Sequence, residues 1–440
     1  MKILIILQTI FIKMKKNRRE FLKKFAFSLQ GYLFLKIFKF KKVHSKVKPR
    51  VIIVGGGIGG ASCLKYLREF SDFINITIVE KKQEIQTCPY SNLVLVGQKK
   101  ISDITFKLSW SDNPDINYIQ STVNKINFEK RNVYLEGKEK IDYDYLILSP
   151  GVSFKNDFLL DNSENHKCFV PHNWDGNKNL IEFKKKLQDL SNNSVILISA
   201  PDYPYRCPPA PYERASLIAH YLQTQKKKTK IFILDSKDTF TKKELFMKEW
   251  KTHYGDKIEW ISKSNGGKVQ EIDLSSQTIK TQTGLTFRGD LIHLIPDQCA
   301  SLIFKKNDLI KEDWCKVNPL NFELEGHSNI FVLGDSIDAW DMPKSAFSAN
   351  SQAKVLVTNL ISRIFQKELV NPVFLNTCYS FSAPKRAFSI SSWYRLNSGQ
   401  DRIVSVGSGQ SDVNASSELR MDESVQADAW YKSLTNELYS

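Results

Sequence analysis

The sequence predicts an α/β protein with two doubly wound parallel-sheet domains. A β-branched apolar run at residues 50–54 (RVIIV) leads straight into a glycine loop and a helical stretch. The same strand-and-helix alternation restarts at residues 193–200 (NSVILISA). At 440 residues the chain is too long for one ordinary core, and two or three domains are expected. With 42% hydrophobic and 25% charged residues it is of globular composition, which excludes a disordered or fibrous protein.

Residues 50–54 read as a buried parallel strand. The loop that follows carries the spacing G-x-G-x-x-G at Gly55, Gly57 and Gly60. Residues 61–70 read as a helix, and residues 75–79 as a second strand ending in Glu80. Each part of this Rossmann-like unit has a task. The glycines permit a tight turn and close backbone approach to a pyrophosphate, the helix N-terminus offers partial positive charge, and Glu80 is placed to accept from a ribose hydroxyl. Residues 143–151 (YDYLILSPG) form a further strand and small-residue turn, and residues 329–335 (NIFVLGD) a strand ending in Gly334-Asp335. After it come Met342-Pro343-Lys344-Ser345-Ala346 and a helix running past Gln352 and Lys354.

In the second unit, strands at 193–200 and 230–235 are joined by residues 201–214 (PDYPYRCPPAPYER), with five prolines and no glycine. Proline fixes φ and removes an N–H donor, the opposite of what a phosphate cradle needs. This domain is expected to keep the fold without binding NAD(P)H, so electrons must come from something other than a nicotinamide. Glu213, six residues past Cys207, falls near the start of a helix over 213–225, where it could move a proton or simply complement the helix dipole.

The formal charge of +16 is unevenly placed. Residues 1–50 hold 15 Lys/Arg and one acid, Glu20, leaving 48 basic against 46 acidic residues in the remainder. So neutral a body lacks the basic stripe that nucleic-acid binding requires. In the leader, residues 17–23 (NRREFLK) precede an uncharged, largely apolar stretch at 25–35. This resembles a twin-arginine export signal and implies a periplasmic protein, although Lys36 and Lys39 interrupt the apolar region and no small-residue cleavage site is evident. A basic amphipathic helix lying on a membrane surface is the other reading. Eleven uncharged residues are too few to span a bilayer, and no integral membrane segment is expected.

The seven cysteines (Cys63, Cys88, Cys168, Cys207, Cys299, Cys315 and Cys378) are few for a disulfide scaffold, and spacing alone does not say which of them pair. There is no C-x-x-C pair, no C-x-x-C-H haem attachment and no H-E-x-x-H, so no metal site is expected.

The glycine loop, the Gly334-Asp335 strand end and the 342–354 stretch resemble the two-dinucleotide-binding-domain flavoproteins of the glutathione reductase type. That resemblance implies FAD, with Asp335 on the ribityl chain and Lys344 and the following helix at the pyrimidine edge. It narrows at residues 205–216 (YRCPPAPYERAS), 87–92 (TCPYSN), 343–352 and 376–380 (NTCYS). Together these resemble the flavoprotein subunit of flavocytochrome c sulfide dehydrogenase over nearly the whole chain from Arg50.

The resemblance implies that Cys207 and Cys378 form a redox-active disulfide beside the flavin, and that Cys88 tethers FAD covalently. It also implies that residues 370–440 form a C-terminal α+β flavin and interface domain. Cys63, Cys168, Cys299 and Cys315 are expected to be core or incidental. The domains are expected at 1–48 (leader), 49–160 with 297–369 (FAD), 161–296 (NAD-like) and 370–440. The expected function is oxidation of hydrogen sulfide to sulfur or polysulfide, with electrons passed to a separate c-type cytochrome in a heterodimer. A sulfide:quinone oxidoreductase is the alternative, disfavoured by the absence of an amphipathic apolar stripe near the C-terminus. A non-catalytic flavin electron-relay subunit is the other.

Overall fold

The β-branched runs build two parallel sheets in the computed structural model, which describes residues 47–137, 139–155, 172, 174 and 179–440. The first sheet has the order Ile330–Val332, Tyr145–Leu148, Arg50–Val54, Asn75–Val79, Ile116–Ile119, all parallel. Val51 to Val54 are buried because both faces of such a sheet are covered. Its glycine-loop helix, Ile58–Leu67, starts inside the loop rather than at Ala61 and ends in a single 3₁₀ turn, Arg68–Phe70. The long helix Ala346–Ile364 packs against it, and Asn350 donates to Ser62 Oγ at 3.0 Å.

The second sheet has the order Ile258–Ile261, Thr229–Asp235, Ser194–Ala200, Leu291–His293, again parallel. Its helix, Ala210–Thr224, begins directly after the proline loop. A third sheet is an antiparallel meander of Val373–Ala383, Arg386–Leu396 and Ile403–Gln410, backed by the terminal helix Ser417–Tyr439. The strand carrying Cys378 lies against both Ala210–Thr224 and Ala346–Ile364, so one strand reaches the two halves of the molecule.

Residues 405–417, polar enough to read as a loop, instead supply most of the strand Ile403–Gln410. As an edge strand with one solvated face it tolerates Ser and Gly. Trp393 lies over Gly407, where a Cβ would meet its ring at 2.6 Å. The expected export leader lies outside the described residues apart from Val47 and Lys48, and Cys168 is also outside them. Among the described residues no helix is long and apolar enough to cross a membrane, and no cluster of three or more His, Cys, Asp or Glu could hold a metal.

Candidate active site

The glycine loop is shaped by what it excludes. A Cβ on Gly60 would sit 1.8 Å from the Gly55 carbonyl oxygen, and Gly55 itself has φ +98°, with Ser149 O 2.5 Å from where its Cβ would be. At Gly57 the reverse holds: a Cβ would meet nothing within 4 Å. That open space lies at the N-terminus of Ile58–Leu67, whose first N–H groups have no partner within the helix. It is a cradle suited to a diphosphate. Glu80, buried at the end of its strand, accepts from Gly56 N at 2.7 Å and Lys82 N at 2.9 Å, so it also holds the loop in shape. Each carboxylate oxygen keeps a lone pair for a ribose hydroxyl.

On the far side of the sheet's C-terminal edge, Gly334–Ser336 forms a 3₁₀ turn that presents Asp335. Gly334 has φ +79° and donates to Gln352 Oε1 at 2.8 Å. Asp335 Oδ1 is buried without a hydrogen-bond partner among the described residues. Burial pushes its carboxyl up, and Arg206 and Lys344 pull it back. An orphaned acceptor here fits a hydroxyl-rich chain such as the ribityl of FAD. Lys344 is buried, donates to Ile337 O at 2.6 Å and lies 3.6 Å from the centroid of the Trp314 ring. Burial lowers its pKa to about 8 against the attraction of Asp335 and Asp338. Next to it, Ser345 caps Ala346–Ile364 by accepting from Ser348 N at 3.0 Å, and its hydroxyl donates to Asn376 Oδ1 at 2.6 Å, two residues before Cys378.

The proline loop brings the cysteines in. Cys207 sits at φ +59°, a left-handed conformation unfavourable for a residue with a Cβ, held by its N–H to Lys344 O at 2.9 Å and its carbonyl to Ala210 N at 3.0 Å. Burial, then the neighbouring Cys378, Glu213 and Cys88, push the Cys207 thiol well above its usual range, with Lys242 pulling the other way. The guanidinium of Arg206, one residue earlier, lies near Cys88 and Asp335, which favour its charge, and its Nη2 has no hydrogen-bond partner among the described residues. Glu213 is engaged at both oxygens: Oε1 accepts from Phe381 N at 2.8 Å and Oε2 from Asn92 Nδ2 at 2.6 Å. It therefore ties the segments bearing Cys88, Cys207 and Cys378 to one point. Burial pushes its carboxyl up despite those bonds. None of the six described cysteines is joined to another by a disulfide bond in this structure.

The structure thus gathers Cys88, Cys207, Cys378 and Glu213 into one cluster, linked through Arg206 to Asp335 and Lys344, while Gly55, Gly57, Gly60 and Glu80 form the separate loop cradle. Three contributors were not anticipated. Asn92 and Arg206 lie inside the motifs already noted, so adjacency to Cys88 and Cys207 was the available signal. Lys242 donates to Cys378 O at 2.9 Å and lies 3.6 Å from its sulfur, and nothing in its local sequence marks it.

In the second sheet the strand-end acid, Asp235, stands where a nucleotide ribose would be bound in this type of fold. Its carboxylate takes Lys237 Nζ at 2.6 Å, Tyr212 Oη at 2.5 Å and Trp260 Nε1 at 2.8 Å. Lys237 in turn donates to Pro201 O and faces the rings of Tyr203 and Tyr205. Protein side chains fill that position.

A dinucleotide cradle, an orphaned strand-end aspartate and a second Rossmann-like domain whose loop brings Cys207 toward Cys378 fit a flavin-dependent oxidoreductase of the pyridine nucleotide-disulphide class. Residues 49–198 match the profile of pyridine nucleotide-disulphide oxidoreductases. Residues 181–296 match the central domain, and 370–439 the flavin-binding domain, of the flavocytochrome c sulfide dehydrogenase flavoprotein chain. The flavoprotein chain of that name from Chlorobaculum thiosulfatiphilum is 56% identical over 45 residues, 10% of this chain and 94% of that one. The mitochondrial sulfide:quinone oxidoreductase of Dictyostelium discoideum is 26% identical over 347 residues, 73% of each chain. In fold, the chain is similar to the sulfide:quinone oxidoreductase structure from Aquifex aeolicus, with TM-score 0.68 at 16% identity over 89% of this chain and 92% of that one. The chain belongs to the family of flavocytochrome c sulfide dehydrogenase flavoprotein chains.

Proposed function

We propose that this flavoprotein oxidises hydrosulfide to sulfur or polysulfide at a Cys207–Cys378 disulfide and passes the electrons to a c-type cytochrome partner. The convergence of those two cysteines beside Cys88 and Glu213 carries the reading. A disulfide sulfur is the natural electrophile for the thiolate-like hydrosulfide. Attack breaks the S–S bond, forms a persulfide on one cysteine and releases the other as a thiolate. A second hydrosulfide takes the outer sulfur as disulfide anion, HSS⁻, and leaves one thiol and one thiolate. FAD, when bound, supplies the two-electron acceptor that restores the disulfide with loss of one proton. Glu213 is the carboxyl at the cluster; burial favours its protonated form, and beside the bonds from Phe381 and Asn92 each oxygen keeps a lone pair that could take that proton.

Cys88 is the proposed covalent tether of FAD, with the Arg206 guanidinium near its sulfur. Export by the twin-arginine route, as residues 17–35 suggest, would suit an enzyme whose cofactor must be loaded before it crosses the membrane.

Anaerobic titration with sulfide should bleach the flavin. NADH should not, because side chains occupy the ribose position at Asp235. Cys207→Ser should slow sulfide bleaching by roughly a thousandfold or more, on the scale seen when a covalent catalytic group is removed. Bleaching by NADH but not sulfide overturns the reading, and full sulfide bleaching in Cys207→Ser would instead indicate an electron relay. The relatives named for quinone favour one further reading, in which quinone is the acceptor. Reoxidation of the bleached enzyme by ubiquinone but not by cytochrome c would establish it. After acid precipitation the yellow colour should stay in the pellet for the wild type and move to the supernatant for Cys88→Ser.

A further inference from the structure

Lys242 lies in Thr241-Lys242-Lys243-Glu244, a sequence that reads as an ordinary exposed helix start. Instead it is 5% exposed and adopts φ +65°, a conformation disfavoured for any residue with a Cβ, at the cap of Lys243–His253. This backbone turns the side chain inward, where Nζ donates to Cys378 O at 2.9 Å and reaches Cys378 Sγ at 3.6 Å, with the Phe388 ring centroid at 5.7 Å. Among the described residues no carboxylate lies within ion-pair distance of it. The acid that influences it, Glu213, has both oxygens taken by Asn92 and Phe381. A buried ammonium with no counter-ion is costly, and proteins keep one where an anion forms.

The two sulfurs of the pair differ in surroundings. Cys207 faces Glu213 and Cys88 in a buried setting that opposes charge, which Lys242 offsets only in part. Arg206 and Arg214 also lie near it: Arg206 sits beside Cys88 and Asp335 with its Nη2 unpartnered among the described residues, and Arg214 bonds Asn92 and His293. Among the described residues, the cation with a hydrogen-bond contact to a sulfur of the pair is Lys242, on the side of Cys378.

We propose that Lys242 is the counter-ion of the reduced pair, so that opening the Cys207–Cys378 bond leaves Cys378 as the thiolate and Cys207 as the thiol. This rests on the reading of the two cysteines as redox partners. Two electrons and one proton break the S–S bond and give one thiolate and one thiol. The electrons come from hydrosulfide in turnover and from a phosphine reductant in the test. A thiolate held by Lys242 is the better leaving group and the more readily alkylated sulfur.

The holoprotein is first mapped under non-reducing conditions, where a Cys207–Cys378 cross-link is expected. Its absence would strike the disulfide reading itself. The pair is then reduced with a phosphine and labelled with less than one equivalent of iodoacetamide at pH 7, and the labelled peptides are quantified. Cys378 should be labelled about tenfold more than Cys207, as one unit of difference in acidity would give. Lys242→Met and Lys242→Gln should bring the ratio to about unity, and Lys242→Arg, which keeps the charge, should restore most of it. Label chiefly on Cys207 in the wild type overturns the proposal whatever the variants do. An unchanged ratio in either neutral variant, folded as judged by its circular dichroism, overturns it equally.

Discussion

A single methyl group separates the roles of two glycines in the same loop. Gly57 has φ −64° and open space where a Cβ would go, so Gly57→Ala should fold normally yet fill the diphosphate cradle. Purified Gly57→Ala should therefore show nearly wild-type melting of the flavin-free protein and a loss of bound flavin absorbance, which full occupancy would refute. Gly60→Ala places its Cβ 1.8 Å from a backbone oxygen that cannot move aside, and should cost about 1–3 kcal/mol in denaturant unfolding. Gly55, Gly57, Gly60 and Glu80 were legible in the sequence because a local spacing encodes them. Lys242 was not, because its partner Cys378 lies far away in the chain and its own neighbours read as surface. A buried position created by tertiary packing leaves no mark in a polar run.

The helix capped by Lys242 is itself anchored from the C-terminal segment. Glu249, on Lys243–His253, meets Arg386 on the meander at 3.1 Å and Arg420 on the terminal helix at 3.5 Å. Against the upward push of burial, hydrogen bonds from Arg386 and Ser382 hold the Glu249 carboxyl below its usual range. Arg420 is buried and also bonds Glu423 Oε2 at 2.9 Å and the Asp412 carbonyl at 2.6 Å. Arg420→Met leaves Glu423 buried without its cation and should cost about 3 kcal/mol in urea unfolding. A loss below about 1 kcal/mol would mean that the ion pair contributes no more than a surface one. The same elements show where element-level reading stopped short. Strands with buried β-branched runs announced themselves, whereas Ile403–Gln410 did not, because an edge strand draws its order from pairing with Arg386–Leu396 rather than from its own composition.

Across the whole molecule, two parallel sheets were readable because each strand is a short apolar run bounded by turn residues. The meeting of their loops was readable only through family resemblance, since no local pattern states that residues near 88, 207, 335 and 378 share a site. The same holds for Asp235, whose place at a strand end was visible but whose pairing with Lys237 and hydrogen bonds from Tyr212 and Trp260 were not.

The first sheet is closed by a strand at Ile330–Val332, emitted long after the glycine loop beside which it must settle. At 5–20 residues per second a ribosome needs roughly 15–55 s to travel from the loop to that strand. Throughout that interval the nascent chain holds the diphosphate cradle but not the Gly334-Asp335 strand end. A chain truncated before Asp335 should therefore retain less flavin than the full-length protein, as the absorbance of the purified proteins would show.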